Sequence, residues 1–455
     1  MSGLPRPADA VDEVLSAARG PCIAIVEETH EADVRFANNT TTTNGVRFDR
    51  RVTAVRVVGA GDGTAAGAAR RGGDVDLAAL VAEAEAAAAV SDDAFPLVEG
   101  KAAPGYGDDA PTTDLSVLSG VLGALSGACD RAERAGAVLS GFAEHRVVTT
   151  YLGSTTGVRL RHVQPSGALQ LVGRMDGRSA WAGAATATYA DVELEALEAR
   201  VRRGLDWAAR RVEVAAGRHE VVLTPESVAD LMVCVSEALG GKQAEEGRTV
   251  FSRPGGGTRL GDVLSGLPFD LWSDPSADGL ECIPFLATPA SSADVSVFDN
   301  GMPIRRTHWV REGRLASLLY HRAGARRAGT VPAAPGDNLV LSLPGASGTV
   351  DDLVARTGHG LLVTCLWYIR EVDPQTLLLT GLTRDGVYVV DDGEIVGAAN
   401  NFRFNESPVD LLARATEASA AARALGREFG EWANRTAMPA LRVPDFNMST
   451  VSPAS

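Results

Sequence analysis

Lysine is nearly missing from this chain: of 43 basic residues only Lys101 and Lys242 are lysines. Each follows a glycine but precedes Ala102 or Gln243, so there is no phosphate-cradling Gly-Lys-Ser/Thr loop, and no Ser-x-x-Lys pair exists. The five cysteines (Cys22, Cys129, Cys234, Cys282, Cys365) are odd in number, widely spaced and lack a C-x-x-C pair. That excludes a zinc ribbon, argues against a disulfide framework and fits a reducing cytoplasm. The seven histidines are equally dispersed, and no two stand one helical turn apart to share a metal ion. His30-Glu31 has no second His after it, and His219-Glu220 opens a β-like run. Long apolar runs are also missing. Nothing approaches the ~18 residues of a membrane span, and MSGLPRPADA shows no basic segment followed by an apolar one, so neither insertion nor signal-directed export is expected. With a net charge of −15 the chain is poorly suited to nucleic acid, which is bound through clustered cations.

What remains is a folding composition. The 455 residues are 45% hydrophobic and 22% charged, with 49 glycines, which suits two or three domains with many turns. A helix is expected over 5–18, then strands CIAIVEE, ADVRFANN and VRFDRRVTAVRVV, with Asn44-Gly45 as a tight reverse turn. An Ala-rich helix over 76–90, a long Asp/Pro/Gly loop over 91–112, a helix near 114–135, two alternating strands and a helix near 191–214 follow. The arginines of that last helix (Arg200, Arg202, Arg203, Arg210, Arg211) read as a solvated face paired with nearby Glu. The helical pattern stops at Ala215-Ala216-Gly217, where the main boundary is placed. Beyond it Thr224 and Pro225 open another helix as N-cap and first residue. Short strands then dominate, with one more helix near 408–428. The fold class is α+β in two domains: residues 1–216 form an N-terminal α/β domain with an antiparallel sheet, and 217–455 a β-rich, antiparallel, barrel-like domain.

No catalytic signature emerges from spacing. The cluster Gly61-x-Gly63-x-x-Ala66 lies among meandering strands without a β-α-β unit and reads as a glycine-rich turn. Gly345-Ala346-Ser347-Gly348-Thr349 lacks the last glycine of a nucleophile elbow. Asp391-Asp392-Gly393-Glu394 reads as a hairpin turn, and Cys234 and Cys365 as small buried hydrophobes.

One ordered series of segments does carry information. Phe298-Asp299-Asn300-Gly301-Met302-Pro303-Ile304-Arg305-Arg306-Thr307 is followed by Glu312-Gly313-Arg314-Leu315, LLYHRAGARRAG, GHGLLVTCLWYIREVDPQTLLLTG and Asp392-Gly393-Glu394-Ile395, while NGVRFDRRVTAVRVVGAGDG stands near the start. Together they resemble the TldD/PmbA family (PmbA is also called TldE), bacterial proteins linked to peptide and toxin maturation. In that family the TldD-type subunit carries a His-Glu helix motif and a Cys that bind zinc, whereas the PmbA-type subunit lacks them and pairs with TldD. Here the corresponding helix reads SVADLMVCVSEALGG, with Leu231, Met232, Val233 and Cys234 where the ligands would lie, and no Cys follows Cys365. Asn300 also stands where an acidic residue is expected.

The resemblance implies a cytoplasmic, non-catalytic TldE/PmbA-like subunit of a two-component zinc metallopeptidase. It would hold no metal itself, the zinc being expected in a TldD-like partner. Two related half-shells would enclose a chamber for unfolded or small peptides, which can add to a sheet edge through main-chain hydrogen bonds. Asp299, Asn300, Gly301, Arg305 and Arg306 are the expected peptide contacts. The alternative is a peptide-binding or tailoring-assistance protein that works as a homodimer without a protease partner.

Overall fold

Alternating apolar and polar residues over long stretches demand a sheet with one covered face. In the computed structural model, which describes residues 4–384 and 386–452, that sheet forms the first half of the chain. Its elements are α1 (Pro7–Ala17), β1 (Cys22–Ala37), β2 (Thr40–Val58), β3 (Ala65–Gly72), α2 (Leu77–Ala86), β4 (Ala89–Val90), α3 (Ser119–Arg134), β5 (Val138–Ser154), β6 (Arg159–Met175), β7 (Arg178–Thr186) and α4 (Leu194–Trp207). The strand order is β4-β3-β2-β1-β5-β6-β7, with every neighbouring pair antiparallel.

Strand periodicity decides what lies on each face. Cys22, Ala24 and Val26 of β1 point to the side covered by α1 and α2, and Val34 and Phe36 meet α3 and α4 further along. Ile23 and Ile25 point the other way and pack with Val55, Val57 and Leu152 against Phe285, Val297 and Phe298 of the second half. Each helix shows the matching pattern. Leu194, Leu197, Val201 and Leu205 of α4 recur every three or four residues and are buried, and the Asp76 side chain caps α2 by accepting the Ala79 N–H at 2.9 Å.

The expected turn at Asn44-Gly45 is not there. Both residues lie inside β2, opposite Val34 and Asp33, and the chain reverses instead at Asn38-Asn39, whose φ angles are 53° and 60°. Two asparagines accept the left-handed backbone as Asn-Gly does, and β5, pairing along the other edge of β1, keeps that strand continuous. The Gly61–Gly63 cluster is a single helical turn joining β2 to β3, as a glycine-rich turn should be.

The second half holds three sheets of six, seven and four strands. None of them closes into a barrel among the described residues, so the expected antiparallel, barrel-like arrangement is corrected to open sheets: the six- and seven-stranded ones are mixed, with three parallel pairs, and the four-stranded one is antiparallel. At their centre lies α5 (Pro225–Glu237), in which ten of thirteen residues are buried. The expected helix over 408–428 stops at Arg414 and gives way to strands at Glu417–Ala418 and Ala422–Ala424. There, pairing with 436–438 and 441–442 overrides the helical preference of an alanine-rich segment. Asp392 and Gly393 do form a hairpin turn, with φ 48° and 80°.

Candidate functional site

The site is built on α5. Thr224 and Pro225 start this helix as expected. Val228, Leu231 and Met232 are fully buried in the main core, and the Ser227 hydroxyl donates to the carbonyl of Val363 at 3.1 Å. Cys234 donates its thiol to the Asp230 carbonyl at 3.6 Å, and burial holds that thiol far above its usual range. A zinc ion needs about four N, S or O donors converging tetrahedrally. This helix offers a protonated thiol, the carboxylate of Asp230, whose oxygens are already taken, that of Glu226, which is paired with Arg200, and that of Glu237 at its last residue, and no group of three or more His, Cys, Asp or Glu side chains among the described residues is placed to hold a metal. The residues present do not fit zinc.

The taken carboxylate is Asp230. It accepts the backbone N–H groups of Arg427 at 2.9 Å, Glu428 at 3.1 Å and Phe429 at 3.0 Å. Burial pushes its carboxyl up to about 7, and the three N–H groups oppose that rise. The approach is too close for any side chain on the facing residue: a Cβ on Gly426 would lie 2.3 Å from Asp230 Oδ1. A second glycine tightens the same loop, since a Cβ on Gly430 would lie 2.3 Å from the Gly426 carbonyl oxygen.

This loop projects two side chains with visible consequences. Trp432, its ring 5.4 Å from that of Phe429, remains 55% exposed at the mouth of a cavity of about 140 Å³. Val233, Leu239, Trp309, Leu319 and Leu339 line that cavity, and the ion pair of Asp337 with Arg435 (2.7 Å) stands in its wall. Arg427 reaches the opposite way, between the rings of Trp181 and Trp367 at 5.2 and 4.7 Å, and donates to Gln170 Oε1 at 2.8 Å. Gln170 and Trp181 belong to β6 and β7, so the loop joins α5 to the first sheet.

The face of that sheet turned toward the loop is charged further along. Glu31 of β1 receives Arg47 at 2.7 Å and Arg146 at 3.1 Å, and Asp49 receives Arg51 at 2.9 Å. With Glu27 and Arg70 these line an open cavity of about 540 Å³. The arginines of α4 are paired, as their pattern suggested: Arg202 with Glu198, Arg203 with Asp351 and Arg200 with Glu226 of α5.

None of the five expected peptide contacts lines the α5 cavity. Asp299 is fully buried and bound to Arg322, accepting its Nε–H at 2.6 Å and its backbone N–H at 2.8 Å. Asn300 is buried beside it. Its Oδ1 accepts the Thr288 N–H at 2.6 Å and its Nδ2 donates to the Thr288 carbonyl at 2.9 Å. An ionised carboxylate could not donate in that pair, which accounts for the amide where an acid was expected. Gly301 takes φ 87°, a conformation that favours glycine. Arg305 and Arg306 are exposed, and Arg306 stacks over Trp272 at 4.1 Å. Sequence reasoning missed Asp230, Trp432 and Arg427. The available signal was an acid at the centre of the apolar run SVADLMVCV, with Gly426 inside the segment read as helix and Gly430 just beyond it.

The geometry has counterparts of known structure. TldE from Thermococcus kodakarensis superposes with a TM-score of 0.74 at 15% identity, covering 96% of this chain and 98% of that one. A candidate modulator of a DNA gyrase from Thermotoga maritima gives 0.74 at 16% identity, over 96% and 99% of the two chains. A candidate modulator of DNA gyrase from Bacteroides thetaiotaomicron gives 0.73 at 12%, over 98% of each. At such identities these establish a shared fold. No curated protein matches by sequence. Residues 216–450 match the family model for the PmbA/TldA metallopeptidase C-terminal domain, which spans half of the chain, and the chain therefore belongs to the PmbA/TldD family.

Proposed function

We propose that this chain is a TldE-like, non-catalytic subunit of a two-chain zinc metallopeptidase, working with a TldD-like partner on unfolded or small peptides in the cytoplasm. The observation that carries the reading is α5. Its core positions are apolar, and its central carboxylate is saturated by backbone N–H groups, so the helix acts as a structural wall where a peptidase would carry metal ligands. The fold shared with TldE supports the same assignment. In this proposal residues 1–216 and 217–455 are two domains. The second supplies the wall of a peptide chamber and the charged face of the first sheet its flank, while the zinc and the hydrolytic step belong to the partner. Among the described residues no helix is long and apolar enough to cross a membrane.

The test is co-expression with a TldD-like protein, then metal analysis and peptidase assay with each chain omitted. Activity and bound zinc that require the partner, with this chain alone holding no stoichiometric zinc, support the reading. Tight zinc in the isolated chain, lost on mutating one of its histidines, overturns it. A stable symmetric homodimer indifferent to any TldD-like protein would instead favour a peptide-binding protein that works alone.

A further inference from the structure

The α5 cavity has the size of one amino-acid side chain. Its volume of about 140 Å³ is close to that of an engineered protein cavity of ~150 Å³ that accepts a benzene ring. Most of its lining is apolar, with Val233, Leu239, Trp309, Leu319 and Leu339 all less than a tenth exposed. The polar side chains Ser236, Ser273, Asn338 and Thr436 also line it, and each donates a hydrogen bond to a backbone carbonyl. The wall bears a single ion pair, in which the Arg435 side chain is 11% exposed and that of Asp337 is 50% exposed. Arg435 thus holds Asp337 in place and leaves its carboxylate facing solvent. Trp432 overhangs the opening on a loop fixed by Asp230, Gly426 and Gly430. A large exposed aromatic on a hydrogen-bonded loop, beside a largely apolar pocket and a carboxylate held by an arginine, is the arrangement of a side-chain subsite.

We infer that this cavity is a specificity pocket for a bulky apolar side chain, of the leucine or phenylalanine class, in an extended peptide whose adjacent main-chain N–H is accepted by Asp337. The inference rests on the proposed peptide-handling role and names the substrate class for it. Three features favour this occupant. A charged side chain would meet no unpaired partner of either sign in the cavity, because the one guanidinium in the wall is already held by Asp337. A small side chain would leave most of the volume empty and forgo its dispersion contacts. The exposed carboxylate complements a main-chain donor, which every peptide other than an X-Pro bond presents.

The inference is testable on the isolated full-length chain by NMR or calorimetric titration with N-acetyl-leucinamide, N-acetyl-phenylalaninamide, N-acetyl-alaninamide and N-acetyl-aspartamide. The leucine and phenylalanine probes are expected to bind at least ~10-fold more tightly than the alanine probe, and the aspartate probe more weakly still. Val233→Phe, which fills the cavity, should remove that preference. Trp432→Ala, at an exposed position that tolerates truncation, should reduce it several-fold even if the core variant fails to fold. Equal affinity for all four probes, or a preference unchanged in folded Trp432→Ala and Val233→Phe proteins, overturns the inference. Because no partner is added, this outcome is independent of the zinc and co-expression experiments. Failure to pair with a TldD-like chain leaves a measured leucine preference standing, and absence of the preference leaves the subunit assignment standing.

Discussion

Asp230, fully buried on α5, accepts the backbone N–H of Arg427 at 2.9 Å across 197 positions of sequence. The helix thus serves as an anchor for a loop. Asp230→Ala is expected to leave the three N–H groups of 427–429 without their acceptor at a cost of about 1–3 kcal/mol. It should also expose the bond after Arg427 to trypsin. Asp230→Asn, which keeps one acceptor oxygen, should lose less. Urea denaturation and limited proteolysis check both, and parent-like resistance to trypsin in the alanine variant would show that Asp230 does not hold the loop.

Arg427 itself ties the two halves of the chain. Its guanidinium contacts Trp181 and Trp367 and donates to Gln170. At about 0.5–1 kcal/mol for each ring, Arg427→Ala should destabilise by roughly 1–2 kcal/mol. Arg427→Lys should recover only part, since an ammonium cannot stack flat between two rings and reach the amide as well. Thermal denaturation followed by tryptophan fluorescence reads both effects.

The series Asp299 to Arg306 pointed to the family but not to the roles of its members. Asp299 is buried and paired with Arg322, whereas Arg305 is exposed. Arg322→Ala should therefore be severe, about 3–5 kcal/mol, because it strands a buried charge. Adding Asp299→Asn should restore a large part of that loss. Arg305→Ala should stay within about 0.5 kcal/mol, as at an ordinary surface position. Denaturation midpoints of these variants separate the scaffold residue from the surface one, and a mild Arg322→Ala would contradict the burial argument.

These contrasts show what the sequence made legible. Helix starts such as Thr224-Pro225, strands β1, β2, β5 and β6 of the first sheet and the hairpin at Asp392-Gly393 follow from local chemistry and were readable, whereas the alanine- and glycine-rich β3 and β7 were not. The turn at Asn38-Asn39 was not, because Asn44-Gly45 offered an equally good local signal and only pairing with β5 decides between them. The long-range partnership of Asp230 with 427–429 has no local signature at all. That α5 carries no histidine was readable from composition. The pocket beside it was not, because a cavity depends on how Trp432 and Arg435 return to the helix from two hundred residues away.

The buried histidines should lose their contribution to stability on mild acidification, and His145 makes the sign explicit. This imidazole is 4% exposed, lying between the Thr113 hydroxyl at 2.7 Å and the Ala187 carbonyl at 2.9 Å. A carbonyl only accepts, so Nε2 carries the proton and Nδ1 accepts from the hydroxyl, which describes a neutral ring. Burial lowers the pKa of His145 below its ordinary 6.5, and the bond to Ala187 opposes that shift. The unfolded chain therefore binds this proton at a pH where the folded one does not. The group's contribution is complete above the unfolded value and is lost as pH falls below it. His30, His162, His308 and His321 shift in the same direction, again mainly through burial. These rings should accordingly pull the urea midpoint down between about pH 7.5 and about pH 5, while Asp230, whose carboxyl burial pushes up to about 7, takes up a proton in the folded chain over the same range and pulls it up. The share of His145 is therefore read as a difference: His145→Gln, which retains a donor for Ala187 but cannot ionise, should lose less stability on acidification than the parent. Parallel profiles for parent and variant would show that His145 does not contribute.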